Sequence, residues 1–213
     1  MVTFIFLRHG LSLTNNTKRF TGHADVPLHE TGRRQAIRAC EYIATHFSVD
    51  RIYASDLSRA IDTAKPLSER LGLEIHTTPA FREIDVGCWA HHNFEEIESL
   101  YPTQYKAWKQ DYYGAPYGDG ESFEQLTKSV ESALHEIADI DDGKTVLIAT
   151  HGGAIRAICA KCRKVPISEI KNNPPLVPNA SITIVEYENG AGNVTEYGFA
   201  DYLSTTTVTN LIV

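Results

Sequence analysis

The chain has 213 residues, 42% hydrophobic and 22% charged, proportions that suit one domain of good size with no need for disulfide or metal staples. A formal net charge of −7 argues against a nucleic-acid or anionic-membrane partner, since both want a basic face. Cys40, Cys88, Cys159 and Cys162 lack framework spacing, and the apolar run after Met1 is too short for a leader or a membrane span, so a reduced, cytoplasmic setting is expected.

In chain order, Val2 to Leu7 is rich in β-branched and aromatic residues and predicts a buried strand. Residues 29–47 carry a helical stripe at Ala36, Ile37, Cys40, Ile43, Ala44 and Phe47. Arg51 to Ala54 predicts a second strand. Leu57, Ala60, Ile61, Ala64, Leu67 and Leu71 predict a second helix, with Gly72 at its C-terminal cap. Glu74 to Thr77 predicts a third strand.

Residues from about 85 to 120 differ, with many aromatics and turn residues, and predict short helices and loops forming a cap. Ser122 and Gln125 have the spacing of a capping box before a strong helix. Thr145 to Thr150 predicts a buried strand, and Gly152-Gly153 opens a helix ending near Cys162. Ser181–Tyr187 and Val194–Phe199 predict a hairpin around Asn189-Gly190. Strands alternating with helices imply an α/β fold, a three-layer αβα sandwich with a mainly parallel central sheet, as one domain over 1–213 with a cap inserted.

In such sheets ligands bind at the carboxyl ends of strands. Three strand ends here carry Arg8-His9-Gly10, Ser55-Asp56 with Arg59 following, and His151-Gly152-Gly153. Two histidines and two arginines on one sheet edge suit phosphoryl transfer. A neutral imidazole is a competent nucleophile, and the arginine fork binds phosphate oxygens. An alcohol is a poor leaving group, so an acid is needed, and Glu83 is a candidate, with Asp85 two residues on as its competitor. Arg156 reads as a structural tie between its helix and a neighbour. Cys159 and Cys162 have redox-motif spacing but fall inside a helix, where core packing is the simpler reading. His91-His92 has no accompanying ligand cluster, and no metal is expected.

These blocks resemble the signature of the histidine phosphatase superfamily, the group that contains cofactor-dependent phosphoglycerate mutases. The resemblance runs through Leu7-Arg8-His9-Gly10-Leu11-Ser12-Leu13-Thr14-Asn15, Arg19-Phe20-Thr21-Gly22 and Ser55-Asp56-Leu57-Ser58-Arg59-Ala60. It continues through Glu83 with Gly87 and Trp89, Gly120-Glu121-Ser122 and Ala149-Thr150-His151-Gly152-Gly153. It implies that His9 is the phosphorylated nucleophile, that Arg8, Arg59 and His151 complete the phosphate pocket, and that Glu83 donates the proton. It further implies contacts to phosphate or substrate from Ser12, Asn15, Thr21, Gly22 and Gly152, and no cofactor. Leu11 replaces the glutamate common in relatives, and Ala90-His91 follows Trp89 where many relatives read Glu-Gly.

The stretch between Glu83 and His151 holds no arginine, and its lysines are Lys106, Lys109, Lys128 and Lys144 among more numerous acids. Mutases need extra cations for a second anionic group, so a phosphomonoester hydrolase acting on a small phosphorylated metabolite is favoured over an isomerase. A non-catalytic binding protein on the same fold would show a broken pocket signature, which is absent. The expected assembly is a monomer or homodimer.

Overall fold

In this computed structural model, residues 1–15 and 19–204 are described. β1 (Val2–Arg8) alternates its side chains between two faces, with Phe4 and Phe6 on one and Ile5 and Leu7 on the other, all fully buried. A strand apolar on both sides belongs at the centre of a covered sheet. It lies between β4 (Thr145–Thr150), which it pairs in parallel, and β5 (Ile182–Glu188), which it pairs antiparallel. With β2 (Arg51–Ser55), β3 (Ile75–Thr78) and β6 (Ala191–Phe199), the order is β3-β2-β4-β1-β5-β6. β1 to β4 are parallel to one another, and the terminal β5–β6 hairpin is the antiparallel part.

Helices α1 (Glu30–His46) and α2 (Ser58–Leu71) bury Ala39, Cys40, Ile43, Ala64 and Leu67 against Ile5, Leu7 and Leu147. On the opposite face, α5 (Phe123–Ile140) and α6 (Gly152–Cys162) bury Val130, Leu134, Ile155 and Ile158 against Phe4, Phe6, Val146 and Ile148. Each such aliphatic or aromatic side chain contributes about 1.5–3 kcal/mol on burial. The three-layer αβα arrangement expected from the sequence is therefore present. Its strand ends differ slightly: β1 runs on through Arg8, and β3 starts at Ile75. Ile37 departs from the expected stripe and is 48% exposed. The buried face of α1 is Gly32, Gln35, Ala36, Ala39, Cys40 and Ile43, and Ile37 lies about 100° around the helix from Ala36.

Between β3 and α5 the chain forms a short 3₁₀ turn at Gly87–Trp89, then α3 (Phe94–Leu100) and α4 (Pro102–Gln110). Asn93 and Glu96 close α3 with a reciprocal capping box, as Ser122 and Gln125 close α5. Trp89 and Trp108 are buried edge-to-face at 5.7 Å and weld this segment to the layer of α5 and α6. Cys159 is buried and Cys162 half-buried, and both thiols are pushed up by burial, Cys162 to about 11, which suits packing rather than redox chemistry.

Candidate active site

The sheet's carboxyl edge opens into a cavity of about 370 Å³. At one end stand Arg8, His9, Asn15, Arg59, Glu83 and Gly153. β1 delivers Arg8 here, His9 follows directly after it, and Gly10 then passes close against the start of α1. A Cβ on Gly10 would lie 2.4 Å from the Gly32 carbonyl oxygen, so the strand end and the start of α1 touch through backbone alone. Thr63 Oγ1 accepts from the Gly10 amide at 3.0 Å, and Gln35 Oε1 from the Leu11 amide at 2.9 Å.

His9 is 4% exposed. Its Nδ1 lies 2.8 Å from the Gly10 carbonyl, which only accepts, so Nδ1 carries the proton and Nε2 the lone pair. Burial, then the charges of Arg8 and Arg59, hold the imidazole well below the ordinary histidine range, so His9 is neutral at neutral pH. His151 has the opposite tautomer. Arg59 Nε–H donates to its Nδ1 at 3.3 Å, so Nε2–H donates to Ser55 Oγ at 2.8 Å. Burial, then Arg59, hold this ring well below the usual range too. The two rings stand 5.1 Å apart.

Arg8 is buried. Nη1 donates to Val177 O, whereas its buried Nε–H has no acceptor among the described residues. Burial brings the guanidinium down to about 10, with Glu83 drawing it back up and Arg59 pushing it further down, so it is charged at neutral pH. A buried charged donor without an acceptor costs free energy. Arg59 uses Nη1 and Nη2 on the carbonyls of Ala24 and Gly22, at 2.8 and 2.9 Å. It thereby clamps the Thr21–Ala24 loop over the site. Asp25, the next residue, accepts from Ser58 N and Oγ, capping α2 beside Arg59 where Leu57 offers no side-chain cap.

Glu83 accepts from its neighbour Ile84 N at 2.9 Å and from Gly153 N at 3.1 Å in the first turn of α6. Gly153 is the seat of this carboxylate, because a Cβ there would lie 2.0 Å from Glu83 Oε1. Asp85 turns away: its carboxylate accepts from Gly87 N, and it is not part of the cavity wall. Ser12 donates through N and Oγ to Asn15 Oδ1, both at 2.8 Å, which leaves the Asn15 amide nitrogen as its donor. Thr21 bonds Thr14 at 2.9 Å and lines the wall with Gly22.

Eight of the residues expected at the site therefore line one cavity: Arg8, His9, Ser12, Asn15, Thr21, Gly22, Arg59 and Glu83. Two do not. His151 is fully buried behind Arg59, drawn down by Ser55, and Gly152 lies behind the Arg8 guanidinium, so Gly153 takes the place on the wall. Arg156 ties α6 to Pro174 and Ile170, as expected, and also reaches the cavity. Asn179 was not singled out from the sequence, yet its Nδ2 donates to His9 O at 3.0 Å. Its only signal was being an asparagine just before a strand.

Residues 4–199 match the profile of the histidine phosphatase superfamily (branch 1). The chain belongs to this superfamily. It is 35% identical to the glucosyl-3-phosphoglycerate phosphatase of Mycobacterium tuberculosis over 173 residues, 77% of this chain and 76% of that one. It is 32% identical over 161 residues to phosphoglycerate mutase-like protein 4 of Arabidopsis thaliana, covering 75% and 70%. The solved structure of Bacillus stearothermophilus YhfR superposes with a TM-score of 0.85 at 28% identity, over 95% of this chain and all of that one. Among the described residues of this superfamily member, no helix is long and apolar enough to cross a membrane.

Proposed function

We propose that this histidine phosphatase hydrolyses phosphomonoesters of small metabolites through a phosphohistidine on His9. The observation that carries this reading is the neutral His9, whose Nδ1–H is taken by Gly10 O so that Nε2 keeps its lone pair, on one cavity wall with Arg8 and Arg59. Phosphate oxygens pair with Arg8 and the Asn15 amide, and Arg59 supplies charge while holding the Gly22–Ala24 loop. Positioning and electrostatics of this kind carry most of the barrier reduction in phosphoryl transfer.

In the first step the His9 Nε2 lone pair bonds to phosphorus, the ester P–O bond breaks, and the Glu83 carboxyl gives its proton to the departing alkoxide. In the second, Glu83 carboxylate takes a proton from water, the water oxygen bonds to phosphorus, and the P–N bond breaks. His9 is again neutral, Glu83 is again protonated, and inorganic phosphate leaves. The α6 amide that holds Glu83 stabilises the carboxylate it becomes between the steps. His151 acts in this geometry through Arg59, fixing its Nε. The 85–120 segment serves as the cap over the leaving group.

A panel of phosphomonoesters assayed after chelator treatment tests the reading. Phosphate release from monoesters is expected, with 2- and 3-phosphoglycerate interconverted far more slowly. Efficient interconversion stimulated by 2,3-bisphosphoglycerate would make the chain a mutase instead, and loss of activity restored by a divalent cation would overturn the histidine mechanism.

A further inference from the structure

Among the described residues, the charged side chains lining the cavity are Arg8, Arg19, Arg59 and Arg156 against the single carboxylate of Glu83. In the hydrolysis above, Arg8 and Arg59 serve the phosphate, and Glu83 enters the first step protonated. Arg19 is compensated from outside the wall, because its fork closes on Glu96 at 2.5 and 2.7 Å. Arg156 is left over. It comes from α6, outside the arginine-free stretch between Glu83 and His151.

Arg156 is held but not neutralised. Nε donates to Pro174 O at 2.8 Å, Nη2 to Ile170 O, and Nη1 to Tyr112 Oη at 2.8 Å, all uncharged acceptors. The guanidinium also lies 5.4 and 5.5 Å from the ring centres of Tyr112 and Phe123. These contacts fix its position and cancel no charge. The three bonds leave each terminal nitrogen with a further N–H. A cation fixed in advance binds an anion with little further loss of side-chain freedom.

Its place along α6 sets what it can meet. Gly153 N seats Glu83, which protonates the leaving oxygen. Arg156 follows one turn later as a surface neighbour of Gly153, about 4.5 Å further along the helix axis. The alcohol of a short hydroxy acid spans such a distance. One uncompensated cation matches one carboxylate, whereas a second phosphate brings close to two charges.

We propose that Arg156 is a specificity-determining residue that forms a carboxylate subsite for the leaving group. The chain then favours phosphomonoesters of short hydroxy acids over those of uncharged alcohols. This rests on the phosphatase reading above.

The test measures kcat/KM for phosphate release from 3-phosphoglycerate and from glycerol 1-phosphate, which differ by a carboxylate in place of a hydroxymethyl group. Wild type is expected to favour 3-phosphoglycerate by about thirty-fold or more. Arg156→Gln should lower that ratio by about thirty-fold. Arg156→Lys, which keeps the charge without the fork, should lower it by about five-fold or less. If Arg156→Gln melts early, Tyr112→Glu carries the test. It leaves the bonds to Pro174 and Ile170 in place and sets a carboxylate facing the guanidinium, so the ratio should again fall. A wild-type ratio at or below one, or a ratio unmoved in the folded Gln or Glu variant, would overturn the proposal. Equal losses in Arg156→Gln and Arg156→Lys would reduce Arg156 to a structural tie. Hydrolysis of glycerol 1-phosphate without a carboxylate preference sinks this inference alone, whereas no hydrolysis of any monoester sinks the phosphatase reading with it.

Discussion

At the strand-end side of the cavity, polar side chains are held by main chain: Arg8 by Val177 O, His9 by Gly10 O, Arg59 by Gly22 and Ala24, Glu83 by Gly153 N. On the side of residues 85–120, the wall is made by rings leaning on rings. Phe20 meets Phe94 edge-on at 5.0 Å, and Tyr112 meets Phe123 at 5.6 Å. Backbone partners fix a side chain to within a fraction of an ångström, while ring contacts tolerate sliding and replacement. One end is thus suited to a single reacting group, and the other to alcohols of varied shape.

That contrast breaks if a change at the polar end is mild. Gly153→Ala places a Cβ 2.0 Å from the present position of Glu83 Oε1. Turnover of alkyl phosphates should fall by about 10²-fold or more. p-Nitrophenyl phosphate should suffer less, because that leaving group needs little protonation. Glu83→Gln should show the same pattern and Asp85→Asn should not. A leaving-group-dependent defect in Asp85→Asn would move the acid to that residue.

The two buried histidines sharpen the contrast through pH. Each is uncharged in the folded chain, with its pKa depressed below about 6.5. The unfolded chain binds more protons below that pH, so stability falls as pH drops from about 6.5 toward the depressed folded values. The loss reaches up to about 2 kcal/mol per histidine between pH 6.5 and 5. A His9→Gln/His151→Gln variant should lose less stability than wild type over this window in chemical denaturation. Equal losses would mean that the rings are not held neutral.

Asp25→Ala removes the borrowed cap of α2 and should cost about 0.5–2 kcal/mol, with a raised KM because Arg59 follows directly in that first turn. An unchanged melting temperature would show that Asp25 caps nothing. The smallest effect belongs to the aromatic end. Phe94→Ala removes about 0.5–1.5 kcal/mol of ring contact and should lower kcat/KM for aryl phosphates by about two- to ten-fold. A loss as large as that of Gly153→Ala would erase the distinction between the two ends.

The layers and the strand ends were legible because a strand buried on both faces, a 3.6-residue stripe and a capping box are local patterns. His9, Arg8, Arg59 and Glu83 were legible through the signature blocks and converge on the cavity. What was not legible joins residues distant in sequence. Gly153 faces Glu83 across 70 positions, and Asn179 reaches back to His9 across 170. Nothing periodic marks such pairs. His151 looked equivalent to His9 from its strand end, but Ser55 on the neighbouring strand draws its ring beneath Arg59. Ile37 was overcounted because apolar character alone does not tell the edge of a helical stripe from its centre.

The central claim is covalent transfer through His9, and rapid quench with phosphorus-labelled substrate tests it most directly. Wild type should accumulate acid-labile, base-stable label that peptide mapping assigns to His9, formed and lost at rates that support turnover. His9→Ala should carry no label and lose activity by at least about 10⁴-fold. Label mapping to His151 or another residue, or full turnover in His9→Ala, would contradict the account.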